Sequence, residues 1–140
     1  MPDSSDIDNA LVAKLAADAT LLANMTNGVY IDEGPPGATR LVIVVGIEAE
    51  DVDEFNRRSY EDVLYLVEPR ALAGAGGDVK AAAARIETLL HQQPLTVPGY
   101  TWMTVHREGR SLTRTERDAV DASIRWNRRG AYYRVQMSVD

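Results

Sequence analysis

Thr39-Arg40-Leu41-Val42-Ile43-Val44-Val45-Gly46-Ile47 is the stretch on which the fold turns. Leu41 to Val45 offers no polar position to face water, and four of its five residues are β-branched. Such a run predicts a strand buried on both faces, and therefore a central one. Before it, Val29-Tyr30-Ile31 reads as a short strand, separated by Glu33-Gly34-Pro35-Pro36-Gly37, whose glycines and prolines permit only loop. After it comes Glu48-Ala49-Glu50-Asp51-Val52-Asp53-Glu54, expected as a solvated loop or the tip of a long hairpin. Residues 59–67 are the return strand, with Val63, Tyr65 and Val67 on one face and Tyr60, Asp62, Leu64 and Leu66 on the other.

Helices flank this centre. Ser5 is a candidate N-cap, Asp6 and Asp8 complement the first-turn dipole, and Ile7, Leu11, Leu15, Ala19 and Leu22 recur near helical spacing. One helix is expected over residues 5–26, stopped by Asn27-Gly28. A glycine-rich connection, residues 73–77, leads to Asp78 as N-cap of a second helix with a stripe of Val79, Ala82, Ala83, Ile86, Leu89 and Leu90. Residues 100–106 alternate as a strand, and residues 132–139 do so more clearly: Tyr133, Val135, Met137 and Val139 face one way, Tyr132, Arg134, Gln136 and Ser138 the other. Between them, residues 107–130 form an Arg-rich arm, expected as a long loop or a short helix near residues 116–123. The order α-β-β-β-α-β-β predicts an α+β fold: a mainly antiparallel or mixed sheet of about five strands packed by two helices.

At 140 residues the chain is expected to form a single domain over residues 1–140, carrying an acidic loop at 48–58 and the basic arm at 107–130. Its hydrophobic fraction of 45% is enough for a core and argues against disorder. No apolar run approaches the roughly 20 residues of a membrane span, and the acidic beginning is unlike a secretory signal. The expected compartment at synthesis is the cytoplasm. With no cysteine, disulfides and thiolate metal sites are excluded. The net charge of -6 is unevenly spread: residues 1–68 hold four bases and fourteen acids, residues 69–140 eleven bases and seven acids. That polarity fits either a nucleic-acid face or a subunit whose one end attracts the other end of its neighbour.

Catalytic patterns fail on spacing. Gly74, Gly76 and Gly77 lack the third glycine of a dinucleotide fingerprint, and Lys80-Ala81 lacks the hydroxyl of a P-loop. His91 and His106 belong to no zinc motif, no Gly-x-Ser-x-Gly elbow occurs, and the acids at 50, 51, 53 and 54 lack the EF-hand glycine. The expectation is no enzyme, no cofactor and no metal. The arm is the remaining feature: Arg107, Arg110, Arg114, Arg117, Arg125, Arg128 and Arg129, with no lysine among them. Arginine suits bidentate contacts to carboxylate or phosphate. Interleaved Glu108, Glu116, Asp118 and Asp121 weaken a DNA-binding module and suit a protein interface instead. The candidate inter-subunit residues are Glu50, Asp51, Asp53, Glu54, Arg57 and Arg58 on the acidic side, and Arg110, Arg114, Arg117, Arg128 and Arg129 on the basic side.

The segment Leu15-x-x-Asp18-x-x-Leu21-x-x-Asn24-Met25-x-x-Gly28-Val29-Tyr30-x-Asp32, followed by Pro36-Gly37-Ala38 and the hydrophobic strand, resembles the opening of the siphophage tail terminator (tail-completion) family. The later order of elements is similar too, although the motif-like part is confined to residues 15–46. Members often carry Pro-Tyr before the first long strand, where this chain has Thr39-Arg40-Leu41, and the basic arm is longer than the family's. The resemblance implies a virion protein assembled in the host cytoplasm. It would form a homo-oligomeric ring, taken as a hexamer, that caps the tail tube and ends its polymerisation. The tube protein would sit on one face and the head connector or stopper on the other, with DNA passing through the lumen unread. The alternative within the same setting is another neck component, a head-completion or stopper protein.

Overall fold

The computed structural model describes residues 4–54, 57–72, 76–110, 114–117 and 125–139. They form α1 (Ser4–Ala16), α2 (Ala19–Asn24), β1 (Val29–Ile31), β2 (Arg40–Glu54), β3 (Arg57–Leu72), α3 (Gly76–Leu90), β4 (Tyr100–Arg110), β5 (Arg114–Arg117), β6 (Arg125–Arg128) and β7 (Ala131–Val139). The fold is α+β with one mixed sheet. β1 runs parallel to β2, and every other pairing is antiparallel. Strand β2 lies between β1 and β3, so the Leu41–Val45 run is central as its composition requires. Strand β3 is long enough to take two partners on its other edge: β7 along Tyr60–Val67 and β6 along Arg70–Leu72. β4 continues the sheet beyond β7, and β5 beyond β6.

The helices cover one face. Val42 and Val44 of β2, Val63, Tyr65 and Val67 of β3, Val105 of β4, and Tyr133, Val135 and Met137 of β7 bury against Ile7, Leu11, Leu15 and Leu21 and against Val79, Ala82, Ile86 and Leu90. On the opposite face Leu41 and Ile43 are also buried, beneath the loop 32–38. Gly34 suits that closure, because a Cβ there would run into Leu41 Cδ1 and require it to shift. Asn27 fixes the entry to β2, its Oδ1 accepting from the backbone N–H groups of Thr39 and Arg40, both at 3.0 Å. Gly28 beside it has φ +96°, the left-handed region that glycine enters without strain.

Three expectations are corrected in detail. The helix over 5–26 is two helices: Asp18, with extended backbone, caps α2 by accepting from Leu21 N at 2.9 Å. The break rotates the buried phase, so Leu21 and Met25 are buried while Ala19 is exposed and Leu22 only half-buried. Asp18 also accepts both Nε and Nη2 of Arg85 on α3, at 2.9 and 2.8 Å, which ties the break to the third helix. That guanidinium, more than the Leu21 N–H, holds the Asp18 carboxyl well below its ordinary range, at about 2. Second, residues 48–54 are strand: β2 continues to Glu54 in register with β3, with irregularities at Gly46/Glu48 and Val52/Asp53. Third, the arm contains neither a helix at 116–117 nor an unbroken loop. β4 extends to Arg110, and β5 and β6 pair as a ribbon; the rest of the expected helix, residues 118–123, lies outside the described residues. His106 accordingly sits within β4 rather than at its end.

Candidate functional site

The candidate interface residues segregate to opposite ends of β3. At one end, β2 and β3 run past the rest of the sheet as a two-stranded ribbon. Tyr60 is the last β3 residue paired with β7, and beyond it only β2 and β3 remain together. There Glu54 pairs in backbone register with Arg57 and Asp53 with Arg58, while Asp51 pairs with Glu61 and Glu50 with Asp62 further back, where β7 still flanks β3. Since β1 pairs only Val42, Ile43 and Val44, the other edge of β2 from Gly46 onward carries no strand among the described residues. Glu48 and Glu50, both exposed, protect this edge from indiscriminate pairing. Ile47, at the bulge, is 47% exposed.

At the other end the arginines gather by register. Arg70 of β3 pairs with Arg128 of β6, Arg128 pairs with Arg114 of β5, Arg117 pairs with Arg125, and Arg110 of β4 pairs with Ala131. Like charges in one cross-strand row repel. The compensating group is Glu68, two residues along β3 from Arg70 and 1% exposed. Its Oε1 accepts from Arg70 Nε at 2.8 Å and from Arg128 Nε at 2.6 Å. A carboxylate so deeply buried is stable only when paired this way. Beside the triad a cleft of about 420 Å³ opens between loop 32–38 and β6. Leu41, Ile43 and Trp126 supply apolar lining, Arg70 and Arg128 contribute cations, and Asp32 and Glu33 stand among the loop residues.

Between the two ends, the sheet face away from the helices carries a second charge cluster. Arg134 of β7 donates to Asp62 Oδ1 and to Glu108 Oε1, and its Nη2 lies 3.8 Å from Glu48 Oε2. Gln136 Nε2 adds a bond to Asp62 Oδ2 at 2.9 Å. Hydrogen bonding to Arg134 holds the Glu108 carboxyl below its usual range, and the same bonds raise the guanidinium's already high value. His106 Nε2 is 3.8 Å from Glu108 Oε1. His91, just after α3, accepts the Arg107 N–H on Nδ1 at 3.0 Å, so it ties the helix end to β4.

Thus Arg110, Arg114, Arg117, Arg128 and Arg129 come together at one end, Glu50, Asp51, Asp53, Glu54, Arg57 and Arg58 at the other, and the two sets do not meet within one chain. Sequence reading missed Glu68, Arg70, Arg134 and the cleft role of Trp126. The available signal was period two: Glu68 and Arg70 continue the Asp62, Leu64, Leu66 face, whose apolar members announce a partly covered surface. Among the described residues, no group of three or more Asp, Glu or His side chains is placed to hold a metal ion. No helix among them is long and apolar enough to cross a membrane. The arrangement places acidic and arginine-rich segments at opposite ends of β3, with a cleft lined by both arginines and carboxylates beside Glu68.

No protein-family model matches the chain, and no curated protein does. Solved structures do. A chain of the virion of a native gene transfer agent (GTA) particle is similar at a TM-score of 0.75 and 21% identity, over 96% of both chains. A second solved chain is similar at a TM-score of 0.54 and 13% identity, over 100% of this chain and 97% of that one. The likeness is one of fold, from end to end.

Proposed function

We propose that this chain is a structural virion protein, the terminator of a tail tube. Copies assemble head-to-tail into a ring, taken as six-membered, that caps the tube, halts its growth and presents a surface to the head connector. DNA passes through the lumen without being read. The observation that carries this reading is the end-to-end likeness to a chain of a gene transfer agent virion. The resemblance of residues 15–46 to tail terminators supports it independently. The charge polarity supports the ring: acids and arginines at opposite ends of a long strand give each subunit a complementary surface for the next. Arg70 and Arg128 are engaged by Glu68, which leaves them poorly suited to tracking a phosphate backbone.

Negative-stain electron microscopy of the purified protein, with light scattering for mass, tests the assembly. Closed rings with a central hole are expected. Addition to growing tail tubes should then stop elongation. Rings that bind the head connector but leave tube growth untouched would move the assignment to a head-completion or stopper protein. A monomer that binds DNA with steep salt dependence would overturn the structural reading.

A further inference from the structure

We propose that the bare edge of β2, from Gly46 to Glu50, is completed by β5 of a second copy of this chain, so that one sheet continues from subunit to subunit. The proposal rests on the ring reading and deepens it, because it names the two strands that join.

The outer edges of the sheet are not alike. β1 covers β2 along Val42–Val44, where Val42 N donates to Gly28 O at 3.0 Å and Asp32 N donates to Val44 O at 2.9 Å. Asp32, at φ +61°, then turns the chain away, and Glu33 N donates to Ile31 O at 2.6 Å. By the same alternation the backbone N–H and C=O of Gly46 point to that edge, where no strand lies among the described residues. Residues 46–50 include exposed positions throughout except for the half-buried bonds they share with β3. Alongside them runs a groove of about 280 Å³, lined by Asp8 of α1 and by Gly46, Ile47, Glu48, Ala49 and Val63. The exposed Ile47 therefore opens on a bare stretch of backbone. The edge of β4 is different: Val105 O accepts from Gln92 N at 2.7 Å, and Arg107 N donates to His91 Nδ1 at 3.0 Å. β5 is bare again, paired among the described residues with β6 alone.

Only a second copy brings the two bare edges together, since β3 and β6 stand between β2 and β5 in one chain. Their lengths agree: at about 3.3 Å per residue, the stretch from Gly46 to Glu50 spans about 17 Å and β5 about 13 Å. Charge selects the pairing. Glu48 and Glu50 lie exposed on the bare stretch, and β3 adds Asp62 across from Glu50, with Arg134 as the cation that answers them. β5, Arg114-Thr115-Glu116-Arg117, carries two arginines against one glutamate. Two β2 edges would set acids beside acids, and two β5 edges arginines beside arginines, whereas β2 with β5 sets opposite charges side by side. The two edges lie at opposite ends of the strand order, so joining them is head-to-tail and leaves each subunit one edge of either kind to offer. Backbone hydrogen bonds then supply the affinity, and the flanking side chains the choice of partner.

The full chain is followed through a dilution series by light scattering and by hydrogen exchange, read on peptides that span β2 and β5. On assembly, exchange at the bare stretch of β2 and in β5 is expected to slow about tenfold or more, while β4, whose edge is already covered, keeps its rate. Assembly that leaves either strand exchanging as it does in the dilute protein would overturn the edge pairing and leave the ring standing. A chain that stays monomeric at high concentration would overturn both. Glu50→Lys and Arg114→Glu should each weaken assembly about tenfold, and the two changes in one chain should recover most of it. Glu33→Lys, an equal charge change on the exposed part of loop 32–38, should leave assembly as it is. No recovery in the double variant, or a loss with Glu33→Lys as large as with Glu50→Lys, counts against the pairing.

Discussion

Removing the Glu68 side chain should cost more stability than removing any exposed acid in the protein. Glu68→Ala strands two guanidinium groups that now share its Oε1, and it leaves space behind the loop that follows β6. Breaking a buried ion pair by deleting one partner costs about 3 to 5 kcal/mol. Arg70 is 28% exposed and Arg128 17%, so both recover some water, which places the loss near about 3 kcal/mol. With a urea m-value of about 2 kcal/mol/M, the midpoint falls by about 1.5 M. Glu68→Gln keeps an acceptor but not the charge, and should lose about half as much. The triple change Glu68→Met, Arg70→Met and Arg128→Leu should return to within about 1 kcal/mol of the parent, because an apolar trio pays no desolvation. Urea titrations followed by circular dichroism at neutral pH read all three. A midpoint shift for Glu68→Ala below about 0.3 M, or a triple variant as weak as the single, would show that the triad does not hold β6 to β3.

Asp18→Ala should lower stability by about 2 to 3 kcal/mol, the sum of a lost N-cap and a lost two-bond contact to Arg85, and a thermal melt would show it. The same carboxyl fixes a pH dependence: its folded value is depressed from 3.8 to about 2, chiefly by Arg85. Its contribution is therefore fully present above about pH 4 and disappears as pH falls towards 2. Acid titration of Asp18→Asn should lack that part of the slope, and an unchanged slope would remove Asp18 from the account. Gly130→Ala should destabilise by about 1 to 3 kcal/mol, since the new Cβ would sit 2.8 Å from Leu66 Cδ1 and 3.2 Å from Glu68 Oε2. A melt within about half a kcal/mol of the parent would mean that Leu66 yields freely.

How much of this was legible depends on whether the cause was local. The Leu41–Val45 run, the alternation of residues 132–139 and the stripe of α3 are patterns of burial, and burial is written in residue type. The two-helix start was hidden because Asp18 interrupts a periodicity that nearly continues across it; the deciding partner, Arg85, lies 67 residues away. The acidic residues 48–54 read as solvated because strand propensity in them is weak, yet pairing with β3 overrides it. Likewise, β5 and β6 owe their conformation to each other and to Arg70–Leu72, which no window along the arm contains. The candidate interface was legible as two charge groups. The cleft beside Glu68 was not, since Glu68 and Trp126 acquire their places only through packing.

The double partnership of β3 also governs the order in which the molecule can be made. Its neighbour β2 is next to it in sequence, so that hairpin can close early. Its other neighbour, β7, pairs Tyr60 with Ser138 and Val67 with Ala131, and is synthesised only after α3, β4, β5 and β6. At a translation rate of about 5–20 residues per second, the Tyr60–Val67 edge of β3 waits seconds for its partner strand. Such high contact order slows folding and leaves a sticky edge exposed in the interval. The acids along the hairpin give every nascent copy the same charge there, which disfavours pairing between siblings on one message in that interval.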